Sequence, residues 1–229
     1  MQLMASTGGV EDAMADRTAT GRVDRRKART RSALVCAAQR LLAEGRTDVP
    51  ILEITELADI GVGSFYNHFD SKEELFRVAV EEALEWWGTL MDRLTADIDD
   101  PAVAYAQSFR MTGRLHRRHP ELSQVLLNHG LELARSDSGL APRAFHDISA
   151  AVDAGRFEVE DLDLALAVTA GATLALGALL HAQPDRDDAK SSDLVVRGLL
   201  RQFGISADEA ERICSLDLPD LDLVDTIAG

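Results

Sequence analysis

Between Gly45 and Ser71 the helical spacing of apolar residues stops and restarts twice within a few turns, which forces short helices to fold against one another. Ahead of this break, Leu34, Ala37, Ala38, Leu41 and Leu42 recur at helical spacing and Gly45 follows as a stop, predicting a first helix over 24–44. Pro50 opens a short second helix with Ile51, Ile54, Leu57 and Ala58 on its apolar face. Asp59 tolerates unusual backbone angles and can supply the bend before a very short third helix over 61–68. Ser71 and Glu74 form a capping box, so a fourth helix starts at Lys72. Its stripe runs through Leu75, Ala79, Ala83, Trp87, Leu90 and Leu94 to about residue 97, where Asp99, Asp100 and Pro101 end it. A helix, a tight turn and a short second helix packed on a first helix make a helix-turn-helix.

Further helices are predicted at 101–118, 120–129, 141–154, 161–182, 189–203 and 206–214, and no segment alternates with the period of a strand. Aromatic residues make up only 5% of the chain, and β-branched runs are scarce. The expected class is therefore all-α. A three-helix DNA-binding domain over 22–70 precedes a larger helical ligand-binding and dimerisation domain over 71–229. Residues 1–21 lack an apolar signal-peptide core and read as a disordered arm. Leu164 to Leu180 is the longest apolar run, shorter than the roughly 20 residues of a membrane span. A helix buried on all sides of a bundle is expected there, in a cytoplasmic protein without a membrane partner.

The net charge of −15 argues against nucleic acid until its distribution is considered. Residues 17–47 carry nine Lys/Arg against two acids, a net of +7, whereas 71–229 carry 15 basic and 29 acidic side chains, a net of −14. Phosphates respond to the local patch, and an acidic remainder keeps the rest of the molecule off DNA. Arg25, Arg26, Lys27 and Arg29 are the expected phosphate or minor-groove contacts. On the short third helix, Gly61, Val62, Gly63 and Ser64 keep the front narrow enough for a major groove. Tyr66, Asn67 and His68 supply hydrogen-bonding groups, and Phe65 and Phe69 turn back into the core. Lys72, at the positive end of the fourth helix, is placed for a phosphate.

The segment ITELADIGVGSFYNHFDSKEELF, residues 54–76, resembles the DNA-binding signature of the TetR family of bacterial transcriptional regulators. Ile54, Ala58, Gly63, Tyr66, His68, Phe69, Ser71, Lys72, Glu73 and Leu75 match its pattern, and Ile60, Ser64 and Phe65 are close replacements. The resemblance implies that Tyr66 and His68 contact the DNA backbone, that Lys72 contacts a phosphate, and that the side chains at 62, 64 and 67 face bases or flanking phosphates. The chain departs from the pattern at Pro50, where a threonine is usual, at Asp59 in place of the turn glycine, at Gly61 in place of a capping serine, and at Val62 in place of a basic residue. It also implies a homodimer bound to a palindromic duplex operator and a C-terminal domain that encloses a small, largely apolar effector.

The C-terminal residues suggest where that effector would sit. Trp87 and Leu90 on the fourth helix, Tyr105, Phe109, Thr112 and His116 on the fifth, Leu126 and His129 on the sixth, and Phe145, Ile148 and Val152 on the seventh are the expected ligand-binding stripes; a central cavity of several hundred Å3 would favour this reading, and a filled C-terminal core an architectural protein. His116 and His129 could orient a ligand, although histidines on apolar faces are more often satisfied core residues. Effector control is expected to run through the fourth helix. Ala167, Gly171 and Ala175, every fourth residue on the 161–182 helix, with Leu194, Val195 and Leu199, are the expected four-helix dimer interface. His116 and His119 lack a nearby carboxylate to complete a metal set, Cys36 and Cys214 sit in no metal spacing and read as buried or half-buried thiols, and no cofactor or nucleophile motif is present. A ligand-responsive repressor, not an enzyme, is the leading reading. The alternative is an architectural or activator DNA-binding protein that no ligand releases.

Overall fold

The computed structural model describes the backbone of residues 8–133 and 140–219, and the side chains of 24–128 and 140–219. Among the described residues ten helices follow one another: α1 (Gly8–Ala43), α2 (Ile51–Leu57), α3 (Val62–Phe65), α4 (Lys72–Thr95), α5 (Pro101–Arg118), α6 (Pro120–Leu133), α7 (Leu140–Asp153), α8 (Leu162–Ala182), α9 (Asp188–Gln202) and α10 (Ala207–Ser215). No strand occurs among the described residues. Helix starts are written locally. Ser71, Asp100, Asp161, Asp187 and Ser206 each accept a hydrogen bond from a first-turn N–H, satisfying donors that the helix cannot.

The first helix differs from the expectation, because it begins at Gly8 and takes in residues 8–21 that the sequence suggests as an arm; residues 1–7 lie outside the described part. Once a helix is nucleated, each added residue gains one backbone hydrogen bond, and residues 8–23 contain no proline to break it.

One apolar core runs from Leu34, Leu41 and Ile54 through Phe65, Phe69 and Leu75 into Trp87, Met111, Leu115 and Leu126. The first three helices therefore share a continuous interior with α4, α5 and α6. Asn128 on α6 donates to the carbonyl of Leu42 at 3.0 Å, and Gln39 on α1 to that of Ala79 on α4 at 3.1 Å. A second core gathers Tyr105, Phe109, Ile148, Phe157, Leu180, Leu200 and Phe203 around α5, α7, α8 and α9.

Helix α8 is not buried on all sides, contrary to the sequence expectation. It is long and apolar enough to cross a membrane by length and composition, yet only 28% of its apolar window is buried. Ala167, Gly171 and Ala175 are exposed, as are Leu164 and Leu179. Leu194 on α9 is exposed and Val195 half-buried, while Leu199 turns into the second core instead. Small residues every fourth position make a low ridge that leaves room for a second helix.

Candidate DNA-binding surface and effector cavity

Helix α3 is held from behind. Phe65 is fully buried and Phe69 nearly so, with Phe65 edge-on to Tyr66 at 5.3 Å and tilted against Phe69 at 6.1 Å. Asp59 sits at φ 54°, in the left-handed region, and makes the turn that the sequence assigned to it. Gly61, Val62, Gly63, Tyr66 and Asn67 all face solvent, Tyr66 at 60%. A Cβ at Gly63 would meet nothing within 4 Å, so its smallness serves the outward face rather than internal packing.

Arg25, Arg26, Lys27 and Arg29 are exposed on α1. Arg26, Lys27 and Thr30 line one side of a surface groove, and Ser64, Asn67 and His68 line the other. Residues nearly forty positions apart thus form one basic, hydrogen-bonding channel. Burial, with Lys27 and Arg31 nearby, pushes the His68 imidazolium below its ordinary pKa. Arg31 lies over the Phe69 ring at 5.6 Å and reaches Glu82 at 2.5 Å, tying α1 to α4. Lys72 is already engaged: its ammonium donates to Asp48 Oδ1 at 2.9 Å and to the Val49 carbonyl at 3.3 Å. Those bonds pin the start of α4 to the loop before α2, leaving one of three donors for a phosphate.

Behind this surface, α4 to α8 enclose a cavity of about 120 Å3. Leu84, Gly88, Met91 and Asp92 of α4 form one wall, and Tyr105, Ser108, Phe109 and Thr112 of α5 the next. Leu126 of α6 closes one edge; Arg143, Ala144 and Asp147 of α7 and Leu166, Thr169, Thr173 and Leu174 of α8 complete it. The volume lies between the several hundred Å3 that would favour a ligand-responsive regulator and the filled core that would favour an architectural protein. Its polar groups are unequally satisfied. Tyr105 Oη and Thr169 Oγ1 lie 2.9 Å apart, and Thr173 Oγ1 donates to the Thr169 carbonyl at 2.9 Å. Asp147 has no hydrogen bond or ion pair among the described residues, and burial, against an opposing pull from His146 and with a smaller repulsion from Asp92, pushes its carboxyl up to about 6.

Four of the expected ligand residues, Tyr105, Phe109, Thr112 and Leu126, stand on the wall. The others do not. Trp87 is buried behind Thr112, to which its indole N–H donates at 3.4 Å. Leu90 and Ile148 pack into the two cores, Phe145 is 37% exposed, and Val152 packs against the second core. His129 lies outside the described side chains. His116 is fully buried: its Nδ1 is 2.7 Å from Ser123 Oγ, which in turn is 2.8 Å from His181 Nε2, and its ring packs edge-on to Trp87. Among the described residues no group of three His, Cys, Asp or Glu could hold a metal ion. Cys36 is exposed, contrary to expectation, and Cys214 is buried, which pushes its thiol up to about 11.

Sequence reasoning missed the rest of the wall, including all of its other polar and charged groups, Asp92, Ser108, Arg143, Asp147, Thr169 and Thr173, and Gly88. The α7 stripe of Phe145, Ile148 and Val152 carries the apolar signal, but the adjoining face, with Arg143, Ala144 and Asp147, borders the cavity. A charged pair four residues apart on the flank of an apolar stripe was the available signal.

The Asp147 carboxyl sets a pH-dependent expectation. Its folded pKa is raised from 3.8, so its contribution is fully present below about pH 4 and is lost as pH rises through about 6. Two pH units correspond to up to about 3 kcal/mol. Asp147→Asn should therefore be more stable than the parent at pH 7 and lose that advantage at pH 4, as read by urea unfolding at both values.

A basic, aromatic-backed helix-turn-helix joined to a helical domain with an internal cavity defines a one-component DNA-binding regulator. Residues 34–79 match the model of the bacterial regulatory proteins of the tetR family, and residues 100–216 that of the tetracyclin repressor-like C-terminal domain. The protein belongs to the TetR family, whose members are transcriptional regulators rather than enzymes. The crystal structure of the regulator RolR without ligand is 34% identical, covering 83% of this chain and 99% of that one with a TM-score of 0.63. RolR in complex with resorcinol is 33% identical, with coverage of 86% and 98% and a TM-score of 0.57. A putative TetR-family regulator from Shewanella sp. PV-4, 13% identical over 76% of this chain and 97% of that one, shares the fold with a TM-score of 0.63. A search of curated proteins gave no match.

Proposed function

We propose that this protein is a cytoplasmic repressor that binds a palindromic duplex operator as a homodimer and is released by a small single-ring compound carrying hydroxyl groups. The observation that carries the reading is the cavity of about 120 Å3 against α4. An apolar cavity on the order of 150 Å3 holds one benzene ring, so this one suits a single ring and excludes a long acyl chain. Asp147, uncommitted beside Arg143, offers a hydroxyl an acceptor, and the Tyr105–Thr169 pair offers a second polar partner. RolR, whose structure holds resorcinol, a single ring with two hydroxyls, is the similar protein that agrees with this class.

The exposed ridge Ala167, Gly171 and Ala175, with Leu194, supplies the surface for the second copy. Two copies related by a twofold axis would place two α3 helices in successive major grooves, about 34–36 Å apart. The residues proposed for DNA are Arg25, Arg26, Lys27, Arg29, Gly61, Val62, Gly63, Ser64, Tyr66, Asn67, His68 and Lys72. The test is selection of duplexes from a random pool by the purified protein, followed by titration of the selected complex with resorcinol, benzoate and a long-chain fatty acid. Release by resorcinol but not by the fatty acid is expected. Selection of no duplex would overturn the DNA reading, and release by the fatty acid would overturn the ring-sized effector.

A further inference from the structure

Arg143 of α7 lays its guanidinium across α4 over Gly88, where any larger residue would make the arginine shift from this pose. A Cβ at Gly88 would stand 2.7 Å from both Cδ and Nη1 of Arg143, closer than real contacts allow. On either side of that seat, Arg143 Nε donates to Asp92 Oδ2 at 2.7 Å, and Nη2 and Nη1 donate to the two oxygens of Glu85 at 2.6 and 3.1 Å. Glu85, Gly88 and Asp92 share one face of α4. The arginine side chain is 25% exposed, whereas both carboxylates are 56% exposed, so the arginine is the inner partner. A planar fork that bonds one carboxylate through two nitrogens and a second through its third nitrogen fixes orientation as well as distance.

The same side chain also belongs to the cavity wall, which Asp147, Ser108 and Phe109 share. Helix α4 runs from this clamp to Lys72, whose bonds to Asp48 and Val49 hold the loop that leads into the helix-turn-helix. We propose that Arg143 is a positioning residue: its clamp over Gly88 holds α4 in the tilt that spaces the two recognition helices, and an effector acts by drawing this guanidinium off α4. The proposal rests on the regulator reading above and names the side chain through which cavity and DNA surface communicate. A ring entering the cavity beside Asp147 competes with Glu85 and Asp92 for the guanidinium. Loss of the clamp multiplies the arrangements of α4, so the fraction of protein competent for operator falls and the apparent affinity falls with it.

The test uses the full chain with Arg143→Ala, Gly88→Ala and the double variant. Arg143→Ala should weaken binding to the selected duplex about 5-fold or more without ligand, the lower end of ordinary allosteric coupling. The salt slope should stay unchanged, because no phosphate contact is lost. Gly88→Ala keeps every charge but crowds the seat, so it should weaken binding in the parent and do nothing further in the Arg143→Ala background. Hydrogen exchange on the free protein gives a readout that needs neither operator nor ligand. Arg143→Ala should raise exchange along α4 towards Lys72, beyond the turns that touch Arg143. Additive losses, a changed salt slope or exchange confined to the contacting turns would each overturn the clamp. If no duplex is selected, the DNA reading fails, while the exchange pattern still decides whether Arg143 holds α4.

Discussion

Reversing Arg25, Arg26, Lys27 and Arg29 to glutamate is expected to lower affinity for the selected duplex by about 10³-fold or more and to reduce the salt slope by about one unit per lost contact. All four side chains are exposed, and Arg26 and Lys27 share a groove with Ser64, Asn67 and His68 of the recognition segment. The remainder of the chain is strongly acidic, so no other patch can replace this one. Cations that neutralise phosphates release condensed counterions, and that release carries most non-specific affinity. Fluorescence anisotropy between about 50 and 200 mM salt measures both quantities. An unchanged slope would move the phosphate contacts elsewhere.

Replacing Trp87 by alanine should destabilise the protein by about 3–5 kcal/mol, the range for truncating a large buried aromatic side chain. Trp87 is 1% exposed, packs edge-on to His116 at 5.6 Å and donates to Thr112 Oγ1. It sits in the core that joins α1 to α4, so its loss should loosen both domains together in one unfolding transition. Because Thr112 separates the indole from the cavity, the vacated space would lie directly behind the wall. The variant should therefore accept larger ring compounds than the parent. Urea unfolding and ligand titration check the two halves. A loss of less than about 1 kcal/mol would mean that neighbouring side chains collapse into the site.

This revises the route by which α4 is expected to sense an effector. The sequence placed Trp87 and Leu90 on the pocket because they continue the apolar stripe of α4. In the fold that stripe is the core face. The cavity instead meets the neighbouring face, where Gly88 and Asp92 lie, and where Arg143 arrives from α7. A stripe identifies which side of a helix avoids water, but it does not separate a filled interior from a vacant one. That distinction depends on whether the side chains of five helices together fill the space between them.

The helix-turn-helix was legible because its determinants are local. Pro50, the Ser71–Glu74 capping box and the spacing of Ile54, Phe65 and Phe69 act within a few residues of one another, and the structure reproduces the helix starts they imply. Asp59 taking the left-handed turn follows from side-chain chemistry alone. The pairing of Arg26 and Lys27 with Asn67 and His68 was readable as charge and as polarity, but their meeting in one groove depends on how α1 crosses α3.

What the sequence by itself determined is the order of the helices, most of their starts, and the family, since each rests on periodicity, capping or a short motif. Tertiary structure alone decided that Lys72 is engaged by Asp48, that His116 is sealed against Ser123, that Leu199 faces its own core, and that Arg143 and Asp147 border the cavity. Those outcomes depend on which faces meet when helices far apart in the chain pack together, and a helical period carries no record of the partner it will meet.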